Sequence, residues 1–209
     1  MRIILASKSP RRQEIISKYI KEFIIVESSV EEVMADSLDP AALAMSLAYQ
    51  KAADVQQQVE DDDLVIAADT IVVTPSVLGE KGQEKRILGK PKDRTDAKNM
   101  IQALAGKTHM VLTGIALLQG EIKVVDHQCT WVSFSSMNAA EIESYLDAGD
   151  YGDKAGAYAI QGYAEPFIQG IDGSYSNVVG LPVERLYPLL KNHFNVNMMK
   201  GTMAAHEDK

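Results

Sequence analysis

The chain has 209 residues, 46% of them hydrophobic and 24% charged, with a formal net charge of -8; this is the profile of an ordinary soluble globular protein, long enough for one large domain or two small ones sharing a core. No apolar run approaches the roughly 18–20 residues that span a bilayer, and the opening MRIILASKSP is too short for a signal-peptide core, so no membrane segment is expected. A single cysteine, Cys129, excludes an internal disulfide and favours a reducing, cytosolic setting, while the acidic balance argues against wholesale binding of nucleic acid or anionic membrane.

Arg2 to Ala6 reads as a short buried strand, and Ser9-Pro10 as a helix start, since Ser suits the N-cap and Pro the first helical position. Ile15, Ile16, Tyr19 and Ile20 fall on one helical face. Lys8, Arg11 and Arg12 therefore sit at a strand-to-helix junction, where unpaired N–H groups and the helix dipole favour an anion. The alternative is a solvated surface turn, the common fate of charge runs.

Phe23 to Glu27 reads as a second strand, followed by the acidic loop VEEVMADSLDP. Asp39-Pro40 starts a helix to about Gln57, with Ala44, Leu47, Ala48 and Val55 as its apolar stripe. DDDLVIAADTIVV, from Asp61 to Val73, is apolar on both faces and predicts a central strand. Thr74 to Arg86 is rich in Gly and charge, a loop or hairpin, and Lys81 to Arg94 gathers six of the 21 basic residues. A helix is expected from near Thr95, with Ala97, Met100, Ile101 and Leu104 buried and Gly106 ending it. His109 to Gln119 and Ile122 to Phe134 pair about a turn at Gly120, and Asn138 starts another helix with Ile142, Tyr145 and Leu146 inward. A Gly- and aromatic-rich stretch follows, of the kind used where backbone approaches backbone or ligand. Val183 to Lys191 closes the chain as a helix with Leu186, Leu189 and Leu190 inward. The expected organisation is one α/β domain over 1–194 and a flexible tail over 195–209.

Two residues stand against their surroundings. Asp69 lies in an apolar strand, where an unpaired carboxylate costs several kcal/mol. It is either a structural ion pair or strand-end cap, or a group at the mouth of a cleft. Lys51 is the matching oddity, a cation on an apolar helix stripe, whose bland reading is snorkelling, with the stem buried and the ammonium in solvent. His109, His127, His193 and His206 lack zinc spacing, Cys129 reads as a small strand residue, and there is no Walker A, G-x-G-x-x-G or G-x-S-x-G. What remains is cations able to hold polyphosphate and carboxylates able to hold a hard divalent ion, a combination suited to phosphoanhydride chemistry with water.

LASKSPRRQEII, VEE, LAYQKA, AADTIVV, LGKPKD, LAGKTHMVLTG, DKAGAYAIQG and IDGSYSNVVGLP, in that order, cover Ile3 to about Leu190. On them the chain resembles the Maf family of nucleoside triphosphate pyrophosphatases. The resemblance implies a mixed α/β fold, with a long curved sheet flanked by helices and two lobes around a nucleotide cleft, similar to inosine triphosphatases. It implies cleavage between the α- and β-phosphates with Mg²⁺ or Mn²⁺, and a homodimer is compatible with it. By motif, Asp69 is the proton acceptor, joined by Glu32 and Lys51 as catalytic residues, with Glu32 and Asp69 at the metal. Ser7, Arg11, Arg12 and Lys90 would contact the substrate. Arg11, Thr70 and Gln161 favour dTTP and UTP; an amide that donates and accepts suits a uracil or thymine edge. The loop at 74–86 and the tail after Asn195 exceed the family's needs. A broader activity on modified or non-standard triphosphates, and a non-catalytic nucleotide sensor or cell-division binding protein, are the rival expectations.

Overall fold

The structure is a computed structural model that describes residues 1–34, 38–74, 87–199 and 202–203. The loop expected at 74–86 therefore lies outside the described residues except for Thr74, as do Lys81, Lys85 and Arg86. The elements in chain order are β1 (Ile3–Leu5), α1 (Pro10–Ser17), β2 (Ile24–Ile25), α2 (Pro40–Gln56), β3 (Leu64–Val73), β4 (Ile87–Leu88) and α3 (Arg94–Leu104). There follow β5 (Thr108–Gln119), β6 (Ile122–Phe134), α4 (Ala139–Asp147), two 3-10 turns, β7 (Ile168–Asp172), α5 (Tyr175–Val179), α6 (Val183–Phe194), β8 (Val196–Asn197) and β9 (Thr202–Met203).

Among the described residues, seven strands form one mixed sheet in the order β2-β1-β3-β5-β6-β7, with β4 also on β3. β1 runs parallel to β2 and β3, whereas β4 is antiparallel to β3 and β7 to β6. The mixed α/β expectation holds. β3 is buried along its whole length except at Thr70, which is why its sequence is apolar on both faces.

The chain forms two compact units, 1–69 with 113–128 and 180–209, and 70–112 with 129–179. In the first, α2 lays Ala48, Ala52 and Val55 on Ile4, Ala6, Val65, Ala67, Ala116 and Leu118. The helix backbone comes so close to β5 that a Cβ on Gly114 would lie 2.1 Å from the Ala44 carbonyl oxygen. Asp39 accepts hydrogen bonds from the Ala41 and Ala42 amides and fixes where α2 begins. In the second, α3 and α4 bury Met100, Ile101, Leu104, Ile142, Tyr145 and Leu146 with Val111, Val132 and Phe134. Asn138 and Glu141 close α4 with a reciprocal capping box.

Three local expectations are corrected. Helix α1 ends at Ser17, so Tyr19 lies beyond it, and Ser9 holds the N-cap position without a side-chain hydrogen bond. Leu189 is half-buried, because α6 turns Leu186, Leu190 and Phe194 inward. Within the expected tail, β8 pairs with β9, and Val196 and Met198 are buried.

Candidate active site

In the first unit the three long-range charges singled out in the sequence meet. The apolar stripe of α2 faces the sheet, so Lys51 cannot reach solvent freely and its side chain is only 17% exposed. Its ammonium lies 3.0 Å from Glu32 Oε1 and donates to Asp69 Oδ1. One cation thus holds two carboxylates that would otherwise repel each other. Asp69, 9% exposed in the middle of the apolar strand β3, obtains the partner its burial demands. Lys51 does not snorkel: its ammonium is held by Glu32 and Asp69.

The opening motif supplies the other charges. Ser7 is buried, and its hydroxyl accepts from the Ser9 amide at 3.2 Å and from Arg12 Nη1 at 3.4 Å. Arg12 also donates through Nε to the Gly180 carbonyl at 2.7 Å, which ties α1 to the turn before α6. Burial pushes the Arg12 guanidinium below its ordinary pKa; Asp69 pulls it back up, Arg11 pushes it down, and Glu32 pulls it up. Arg12 therefore lies within electrostatic reach of both carboxylates. Arg11 is half-buried on the first turn of α1. Lys8 is offset on the surface by Glu27 at 3.0 Å, which explains how three cations tolerate such close spacing.

The remaining expected residues belong to the second unit. Thr70 is the one half-buried position of β3. Lys90 and Gln161 are exposed. Gly89, next to Lys90, accepts from the Gly156 amide at 3.0 Å. Gln161 sits between buried Ile160 and a turn closed by the Glu165 amide donating to the Gly162 carbonyl at 2.9 Å. Its side chain is thus carried on a braced backbone.

Lys154 lies within DKAGAYAIQG, where its sequence context alone does not set it apart. That side chain is 9% exposed and ion-paired to Asp150 at 2.7 Å and Asp153 at 2.6 Å. A cation flanked by acids at i−4 and i−1 within a Gly-rich motif was the available signal. His109 proves to be a core residue: its Nε2 lies 2.8 Å from the Tyr158 hydroxyl, its ring meets Phe134 and Tyr158 edge-on, and burial lowers its pKa to about 4. Burial likewise raises the Cys129 thiol.

Among the described residues no group of three or more His, Cys, Asp or Glu side chains could hold a metal ion by itself. Glu32 and Asp69 provide two carboxylates, a number that suits Mg²⁺ or Mn²⁺ when substrate phosphates complete the shell. No helix among the described residues is long and apolar enough to cross a membrane.

Residues 2–193 match the family described as Maf-like protein. The chain is 44% identical to the dTTP/UTP pyrophosphatase of Caldanaerobacter subterraneus subsp. tengcongensis, with 100% of this chain and 97% of that protein covered. It is 40% identical to the dTTP/UTP pyrophosphatase of Clostridioides difficile, covering 96% of this chain and all, 100%, of that protein. Among solved structures, the Ham1 protein of Staphylococcus aureus overlaps 64% of this chain and 72% of its own at 12% identity, with a TM-score of 0.44.

Proposed function

Because the chain belongs to the Maf-like protein family, we infer that it is a nucleoside triphosphate pyrophosphatase that hydrolyses dTTP and UTP to the monophosphate and pyrophosphate. The observation that carries the reading is the Lys51 ammonium held between Glu32 and Asp69, with Arg12 close enough to feel both carboxylates. Relatives that cover 94% to 100% of the chain and are named dTTP/UTP pyrophosphatase supply the substrate class.

In this reading Asp69 accepts a proton from the water that attacks the α-phosphorus, and the bond to the bridging oxygen of the β-phosphate breaks. Lys51 keeps Asp69 and Glu32 in place and offsets their mutual repulsion. Arg11, Arg12 and Lys90 neutralise charge that grows on the departing pyrophosphate, and Ser7 orients Arg12 towards it. Thr70 and Gln161, with Arg11, read the pyrimidine ring; the Gln161 amide both donates and accepts, and a wrong base would leave it unpaired. Glu32 and Asp69 would hold a divalent cation, Mg²⁺ or Mn²⁺, together with phosphate oxygens. When bound, such an ion withdraws negative charge from the phosphates. The catalytic domain in this reading spans 1–194, and the protein works as a cytoplasmic homodimer; the single cysteine is in keeping with that compartment.

The test is a panel of purine and pyrimidine triphosphates with Mg²⁺ or Mn²⁺, resolved by chromatography. The expected products are dTMP or UMP and pyrophosphate, with dTTP and UTP turned over fastest. Release of orthophosphate, or tight dTTP binding with no turnover, would overturn the assignment.

A further inference from the structure

We propose that Lys154 is a positioning residue for nucleobase selection, acting by clamping Asp150 beneath the turn that carries Gln161. The proposal rests on the pyrimidine-reading role given to Gln161 above.

Lys154 is nearly buried, yet its charge is matched locally, by Asp150 Oδ1 at 2.7 Å and Asp153 Oδ1 at 2.6 Å. Of these acids Asp153 is 56% exposed and Asp150 29%, so the Asp150 contact is the better shielded. The other oxygen of Asp150 faces Gly162, where a Cβ would lie only 2.2 Å from Oδ2. A carboxylate is thereby wedged between the Lys154 ammonium and the backbone of the residue that follows Gln161. Lys154 holds Oδ1, and Oδ2 occupies the space a side chain at position 162 would need, so a rotation of Asp150 both breaks its ion pair and empties that space.

Further contacts make the segment stiff. The Tyr145 hydroxyl donates to the Ala157 carbonyl at 2.8 Å, and the Gly156 amide reaches Gly89. Ala157 adopts a positive φ of 62°, a conformation an alanine keeps only where its surroundings fix it. Lys154 thus sets the height of the turn under Gln161. A buried cation with its own pair of acids is the means by which an exposed amide can have a fixed direction.

The experiment compares kcat/KM for dTTP and for GTP in wild type, Lys154→Met, Gly162→Ala, the double variant and Lys154→Arg, with thermal midpoints measured throughout. Lys154→Met and Gly162→Ala should each lower the dTTP-to-GTP ratio by about tenfold or more, through KM for dTTP rather than through kcat for both. The two lesions strike the same clamp, so the double variant should match the worse single one, and Lys154→Arg should restore part of the ratio. Effects on the ratio that multiply, or a ratio left unchanged in folded Lys154→Met, would overturn the proposal. A wild type with no preference for pyrimidine triphosphates would instead sink the reading of Gln161 on which it stands. If Lys154→Met does not fold, Gly162→Ala alone decides: an unaltered ratio there refutes the clamp.

Discussion

Asp69 and Lys51 show what single residues can reveal. Asp69→Asn keeps the shape and most hydrogen bonding but cannot take up the proton assigned to Asp69 in the proposed mechanism. Turnover of dTTP should fall by roughly 10²–10⁴-fold, the usual size of a general-base contribution, with nucleotide affinity changed far less. Steady-state hydrolysis beside equilibrium binding checks this, and near-normal turnover would remove Asp69 from the role. Both residues were legible in the sequence because each contradicts its own element, a carboxylate in an apolar strand and a cation on an apolar helix stripe. That they are partners was beyond the sequence, since 18 positions and a change of element separate them. Lys154 was not singled out for the opposite reason. It lies in a stretch without periodicity, where a lysine beside aspartates looks like any solvated turn.

At the scale of elements, the sharpest constraint is the contact of α2 with β5. At Gly114 the obstacle to a side chain is the Ala44 carbonyl, which belongs to a helix backbone and cannot rotate aside. Gly114→Ala should therefore destabilise the fold by about 3 kcal/mol or more, the upper end of overpacking costs. For a chain of this size that is a fall in Tm of roughly 6–12 °C, readable by calorimetry; a change within 2 °C would mean the helix can lift away at little cost. The long elements were legible because their apolar periods run over many residues: α2, α3, β3, β5 and β6 stand within a few positions of where the pattern puts them. β4, β7, α5 and the 3-10 turns are only 2–5 residues long. Their positions depend on which strand or loop lies alongside, and no local pattern encodes that.

For the whole molecule, pH is the revealing variable. His109 is buried and neutral, with a folded pKa of about 4 against an ordinary 6.5. The unfolded chain takes up this proton first, so the contribution is complete above pH 6.5, declines as pH falls towards 4, and is level below that. The loss amounts to about 3 kcal/mol. Asp63, held at about 2 chiefly by hydrogen bonds from Arg2, adds a second loss between its ordinary 3.8 and 2. Urea unfolding as a function of pH should show the first limb, and His109→Gln, which retains a partner for Tyr158 but cannot titrate, should flatten it. A wild-type curve that stays flat between pH 6.5 and 4 would place His109 elsewhere than in a dry core. The alternation of strands and helices announced the α/β class, but not that one compact unit would be assembled from residues 1–69, 113–128 and 180–209. That assembly is fastened across a long stretch of chain: the Arg12 guanidinium donates to the Gly180 carbonyl 168 residues further on. A chain cut before Gly180 would keep Glu32, Lys51 and Asp69 but lose this anchor of Arg12.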